Sequence, residues 1–464
     1  MPRFLHRIAG GVAAAHCADA LAHAGERGFI LLLPTGMYIA GGAAAVALSF
    51  AVLAFMPARL FVSLAAYGRT IAHFPRCTTF APSAIVLAIG ALLVLAGFTG
   101  SRDPLDNPLP LAVWALWWVG LTFAVALAGD LWAVLNPWRA LYRIANAGLR
   151  IAPRPYPGSL GYWPAVLLLL GFAWFELVYP APQDPENLAL AVLAYSAITV
   201  AGMLAYGEER WLERAEAFSV FFRMVSWLSP LQPGPARELR LGLPCRALVA
   251  VGRAPASGVA FVLVALASVS FDGLSRTFWW IALAGENPLE HPGRASLVTF
   301  NTLGLLATAI VLGSAYAAAV RLGSLLADDG RRAGPVYGDY IVAIVPIAFG
   351  YHFAHYLPAF LVDVQYAVRA LADPFSLGWN LFGARDLQVR TSFLSHHASV
   401  HLLWNIQVAG IVVAHVLAVC IAHLLALRRH ARAGAALASQ LPLTALMIGY
   451  TVFGLWLLST PVAT

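Results

Sequence analysis

Residues 339–361 read DYIVAIVPIAFGYHFAHYLPAFL, and residues 401–427 read HLLWNIQVAGIVVAHVLAVCIAHLLAL. Each run exceeds the roughly 20 residues that cross a bilayer as a helix. Each also carries imidazoles where hydrocarbon contacts are expected. A neutral imidazole keeps one donor and one acceptor that need partners. Ionisable side chains within spans face a bundle interior and mark a functional site. The chain therefore reads as an all-α membrane bundle built around these two runs. Their antiparallel order puts His352, His355 and His415 at similar depth.

Composition supports this reading. Of the 464 residues, 60% are hydrophobic and 11% are charged, against about 25% charged in soluble domains. All 29 basic residues are arginine, so lysine Schiff bases and a Walker lysine are excluded. The net charge of +7 does not point to nucleic acid, because the arginines fall between apolar runs as a topology signal does. The four cysteines (Cys17, Cys77, Cys245 and Cys420) form no CxxC. Thiolate zinc sites and c-type haem attachment thus have no support.

Hydropathy places about ten spans, near 33–56, 81–100, 109–135, 161–179, 188–206, 254–270, 296–320, 341–361, 401–427 and 441–458. The arginines fix their direction. With both termini outside, the inner loops hold Arg59, Arg69 and Arg76, then Arg139, Arg143, Arg150 and Arg154, then a dense set from Arg210 to Arg253. Arg321, Arg331 and Arg332 follow, and finally Arg428, Arg429 and Arg432. The outer loops are poorer, with Arg102, Arg276, Arg294, Arg369, Arg385 and Arg390. This is the pattern of a multi-pass inner-membrane protein.

Residues 1–22 read as a cleaved signal sequence, with Arg3 and Arg7 at the start and Ala20-Leu21-Ala22 as a small-x-small site. Cleavage there makes His23 the new N-terminus, whose amine and imidazole together suit copper. Residues 23–464 form one transmembrane helical domain. Within it, residues 207–253 form a cytoplasmic loop whose first part, WLERAEAFSVFFR, reads as an amphipathic helix. Trp211, Phe218, Phe221 and Phe222 would lie at the lipid headgroups. Residues 362–400 form the long periplasmic loop, with turn signals at Asp373-Pro374 and Phe382-Gly383.

His352 and His355 are three residues apart and share a helix face. With His415 from the next span they would offer three nitrogens at one level, a set for zinc, copper or iron. Bis-histidine haem b is the alternative, and hydrogen bonding between helices is the plain structural one. Glu176 and Asp272 lie at the outer ends of their spans. They can line an outward-facing site with His355 as base or further ligand, although Asp272 also fits a simple turn start. Asp130 reads as an arginine partner or a proton relay. Asn301, Asn405 and Gln407 can hydrogen-bond the same site. His423 and His401 lie nearer the two surfaces. If the ninth helix starts early, His397 and His401 stack one turn apart beside His396. No GxSxG, HExxH, Walker A or GxGxxG motif occurs in a fitting context.

Several strings together carry a resemblance: PTGMYIAGGAAAVALSF at 34–50, NPWRALY at 136–142, WLERAEAFSVFF at 211–222, SGVAFVL at 257–263 and SFDGL at 270–274. GYHFAHYLP at 350–358, QVAGIVVAHVLA at 407–418 and AHAG at 22–25 continue it. The chain resembles the bacterial fenitrothion hydrolase-like membrane proteins over nearly its whole length after the leader. It departs from them in its weak leader and in His396 and His397. The resemblance implies hydrolysis of an aryl organophosphate or phosphorothioate ester and assigns no residue roles. A metal at His352, His355 and His415 would lower the pKa of a bound water, and a lipophilic substrate would arrive from the bilayer. The competing expectations are a transporter or handler of copper or small molecules using the same histidines, and a membrane subunit serving a redox partner. A protein partner or an oligomer fits any of the three.

Overall fold

The computed structural model describes residues 35–56, 67–73, 80–234, 238–290, 293–327 and 337–462. The leader expected over 1–22, and His23, lie outside them. In chain order the principal helices are α1 (Thr35–Phe55), α2 (Phe80–Thr99), α3 (Pro108–Ala128), α4 (Pro137–Leu149), α5 (Trp163–Leu177), α6 (Pro185–Tyr206) and α7 (Glu208–Arg214). Then come α8 (Ala217–Ser226), α9 (Ala256–Ser275), α10 (Arg294–Leu326), α11 (Tyr337–Leu371), α12 (His397–Arg429) and α13 (Ala433–Ser459). Among the described residues nine of these are long and apolar enough to cross a membrane: all except α4, α5, α7 and α8. The protein is an all-α, multi-pass membrane bundle.

The fourth expected span is the short one. At 15 residues, α5 is about 22 Å long by the helical rise, less than the roughly 30 Å of hydrocarbon. The Tyr162 N–H just before α5 donates to Ser257 Oγ at the start of α9, at 2.9 Å. At the other end, Glu176 and Asp272 meet through one tyrosine hydroxyl. α5 therefore runs beside α9, in contact near both of its own ends.

The histidine-bearing helix α11 is central. It packs on α12 along one side and on α3 and α9 along the other. Small residues allow the close crossings, as in membrane helix pairs generally. A Cβ on Gly350 would lie 2.4 Å from the Ala414 Cβ, and one on Gly454 would lie 1.9 Å from the Tyr351 hydroxyl. Pro358 sits inside α11 and has no N–H to give the Ala354 carbonyl one turn back. Gln407 of α12 supplies the missing donor, its Nε2 lying 2.6 Å from the Ala354 oxygen. Facing α11, α3 widens into a π-helix over Ala112–Leu121, a form concentrated at functional sites.

One end of the bundle carries a small antiparallel sheet, β1 (Gly68–His73), β2 (Leu231–Pro233) and β3 (Glu238–Gly242), in the order β1-β3-β2. Gly68 pairs with Gly242 and Leu231 with Leu241. The single headgroup helix expected near 211–223 is replaced by α7 and α8. The buried Glu216 carboxylate accepts the Phe218 and Ser219 N–H groups at 2.8 and 2.6 Å and begins a new helix there. The aromatic residues then turn inward. Trp211 packs over Gly202, Phe218 meets Trp117 at 4.3 Å between centroids, and Phe222 is fully buried. At the opposite end, α11 runs past the expected limit of 361 to Leu371, shortening the long loop.

Candidate functional site

Where α5 and α9 end, four helices bring polar side chains together. The Tyr356 hydroxyl of α11 lies 2.9 Å from Glu176 Oε1 of α5 and 2.7 Å from Asp272 Oδ2 of α9. His355 Nε2 is 2.9 Å from the same Asp272 oxygen. Arg276, one turn beyond Asp272, reaches its other oxygen at 2.9 Å. Arg294, the first residue of α10, donates to the Glu176 main-chain carbonyl at 2.7 Å. The Asp272 side chain is 2% exposed and that of Arg276 18%. This is a built-in charge cluster, not a surface ion pair. Helical spacing makes it: His355 and Tyr356 are adjacent on α11, and Arg276, which caps the end of α9, is four residues after Asp272.

Donor arithmetic decides what the cluster can do. A tyrosine hydroxyl has one proton to give, yet two carboxyl groups lie at hydrogen-bond distance from Tyr356. Donation to one leaves its oxygen lone pairs facing the other. Both contacts become attractive when one carboxyl brings its own proton and donates it back to the hydroxyl oxygen. Asp272 is held by Arg276 and His355, so its negative charge is compensated. Glu176 is the partner suited to carry the extra proton.

Two cavities meet at this point. One, of about 60 Å³, is lined by Trp114, Trp118, Glu176, Arg276, Arg294 and Asp363 among others, and reaches Pro182 and Gln183 in the α5–α6 connection. The second, of about 40 Å³ and mostly apolar, runs past His352, Thr122 and Ser268 to Phe221, Met224 and Val225 of α8. Trp118 and Tyr356 line both. A water needs about 10–15 Å³ measured this way, so each cavity has room for a few waters. Ligand pockets of about 300–1,000 Å³ are the usual scale for drug-sized molecules.

The sequence-derived residues separate into two groups. Glu176, Asp272 and His355 do converge. His415 faces Tyr351 across the α11–α12 contact, and among the described residues no geometry groups it with His352 and His355. Tyr351, about 100° round α11 from His352, faces the α12 and α13 side. Its ring lies 6.0 Å from that of His415, and its hydroxyl donates to the Tyr450 carbonyl. His415 itself bonds to the Ile411 carbonyl at 2.9 Å within its own helix. His352 instead sits edge-on to Trp118, with centroids 5.0 Å apart. Among the described residues no group of three or more His, Cys, Asp or Glu is arranged to hold a metal ion.

The remaining polar residues act mainly within the scaffold. Asp130 accepts the Ala133 N–H at 3.0 Å and starts the turn after α3. Asn301 accepts from Trp280, and Asn405 from Tyr38. His423 pairs with Gln440 at 3.3 Å. His397 and His401 do meet one turn apart, edge-on with centroids 4.2 Å apart, because α12 begins at His397. Sequence reading missed Tyr356 as a participant, although it adjoins His355. It also left Arg276 as a loop charge, where its spacing of four from Asp272 was the available signal. Compared with protein-family models, curated proteins and solved structures, the chain matches none.

Proposed function

We propose that this chain is a proton-translocating membrane protein whose working centre is Glu176–Tyr356–Asp272–His355, of the transport class. The observation that supports it is one hydroxyl placed between two carboxyl groups at 2.9 and 2.7 Å. That arrangement is favourable only with an exchangeable proton on the pair. Ionisable chains inside membrane bundles serve proton relays, and a water-sized cavity touches this one. The arginine pattern turns that cavity to the outer face of the plasma membrane. Arg276 and His355 hold Asp272 charged, so the proton is exchanged at Glu176 through Tyr356.

Hydrolysis of an aryl phosphorothioate ester is the second reading. It is favoured by the resemblance and by Glu176 in the wall of a cavity that holds water. There the carboxylate would take a proton from the attacking water. The space, about 60 Å³, is several-fold below the roughly 300 Å³ lower bound for such ligands, so this reading requires the site to open.

The two are separated in proteoliposomes containing a pH-sensitive dye, under an imposed pH gradient with potassium and valinomycin. The expected result is proton flux above that of empty vesicles, reduced about a hundredfold in Glu176→Gln, the scale of a lost acid–base group. Parent vesicles that match empty ones contradict the proposal. Release of nitrophenolate from an added aryl phosphorothioate, lost in the same variant, would establish the second reading instead.

A further inference from the structure

Resting on that reading, we infer that His352 is a second proton station, reached through an internal water site that the Trp118–Tyr356 pair also lines. His352 is 4% exposed, and its Nε2 has no hydrogen-bond partner among the described residues. Its ring lines the second cavity together with Thr122, Ser268 and Tyr356. A neutral imidazole carries one N–H and one lone-pair nitrogen, so Nε2 needs a partner in either tautomer. A buried polar atom without a partner is costly. The cavity's roughly 40 Å³ exceeds the roughly 10–15 Å³ that one water needs. The Thr122 and Ser268 hydroxyls donate to the Trp118 and Ala265 carbonyls, which leaves their oxygens able to accept from that water.

The two cavities share Trp118 and Tyr356, with Glu176 lining one and His352 the other. The His352 and Tyr356 rings are 4.7 Å apart between centroids. No other titratable side chain lines the inner cavity. A proton arriving there can therefore rest only on His352 or return to Tyr356. Moving it from the Glu176 side to the lone-pair nitrogen of the His352 ring leaves a carboxylate at Glu176 and an imidazolium at His352. Passing it on to the cavity water restores the neutral ring. Beyond lie Phe221, Met224 and Val225 of α8, the helix on the sheet-bearing end. The aromatic pair is then the narrow point between an outer and an inner half-path.

Nuclear magnetic resonance on full-length protein in lipid nanodiscs, with ¹⁵N-labelled histidine, tests the site without any transport assay. The His352 ring, assigned by the signal missing in His352→Phe, should show magnetisation transfer from water. No transfer from water overturns the inference whatever the flux results. In the vesicle assay His352→Phe, which keeps an aromatic ring against Trp118, should lower flux about a hundredfold. Full flux in His352→Phe, with flux lost in Glu176→Gln, overturns the inner station while leaving the outer cluster's role intact. If the fold does not tolerate Phe, His352→Gln is read the same way.

Discussion

Asp272 would be an isolated buried charge without Arg276 and His355 beside it. Removing one member of a buried ion pair costs about 3–5 kcal/mol, so the three residues stand together. Glu176, Asp272 and His355 were legible because a carboxylate or imidazole in an apolar run has no other economical use. Tyr356 was not, since tyrosine is ordinary in such runs and only its position between two helices gives it a role. Asp373, in the loop after α11, shows the same logic outside the membrane. Burial alone would raise its carboxyl, but the Leu377, Gly378 and Trp379 N–H groups and the Arg385 guanidinium outweigh that and hold it below 3.8. A carboxyl lowered in the folded loop stabilises it above the unfolded value, and that contribution is lost as pH falls through the folded one. Hydrogen exchange at Leu377 and Gly378, corrected for intrinsic rates, should rise only below about pH 4. Asp373→Asn should remove the pH dependence, and equal protection across the acid range in parent and variant would contradict this account.

At the level of helices, the spans were readable from hydropathy because the bilayer imposes a length. What hydropathy does not encode is which face meets which neighbour. The three histidines illustrate this: sequence suggests a common depth, whereas His352 meets Trp118 of α3 and its neighbour Tyr351 meets His415 of α12. The paired α7 and α8 were missed because a buried Glu216 cap reads as a surface charge in sequence. The Pro358–Gln407 relation is a sharper test of element-level reasoning. Gln407→Leu should destabilise the bundle by about 1–3 kcal/mol by leaving the Ala354 carbonyl unpaired. Pro358→Ala restores a backbone donor to that carbonyl, so the double variant should recover most of the loss. The check is thermal unfolding of both single variants and the double variant in the same detergent. Additive losses would show that Gln407 is not serving the proline's freed acceptor.

For the whole molecule, the orientation we propose from the positive-inside pattern has the α11–α12 connection outside and the α12–α13 connection inside. Gly378→Cys should therefore react with a membrane-impermeant maleimide on intact spheroplasts, and His430→Cys only after permeabilisation. The native Cys245 adds little background. Burial, with Cys420 nearby, pushes its thiol up to about 12, and the thiolate is the reactive form. The reverse labelling pattern would turn the Glu176 cavity to the cytoplasm. The central claim is that a proton resides on the Glu176–Tyr356–Asp272 group. Infrared spectroscopy of the full chain in nanodiscs at neutral pH reads it directly, as the parent-minus-Glu176→Gln difference. The account predicts a protonated-carboxyl C=O band in the parent that shifts in D₂O and is absent from the variant. A difference spectrum that shows only the carboxylate bands of an ionised glutamate would contradict it.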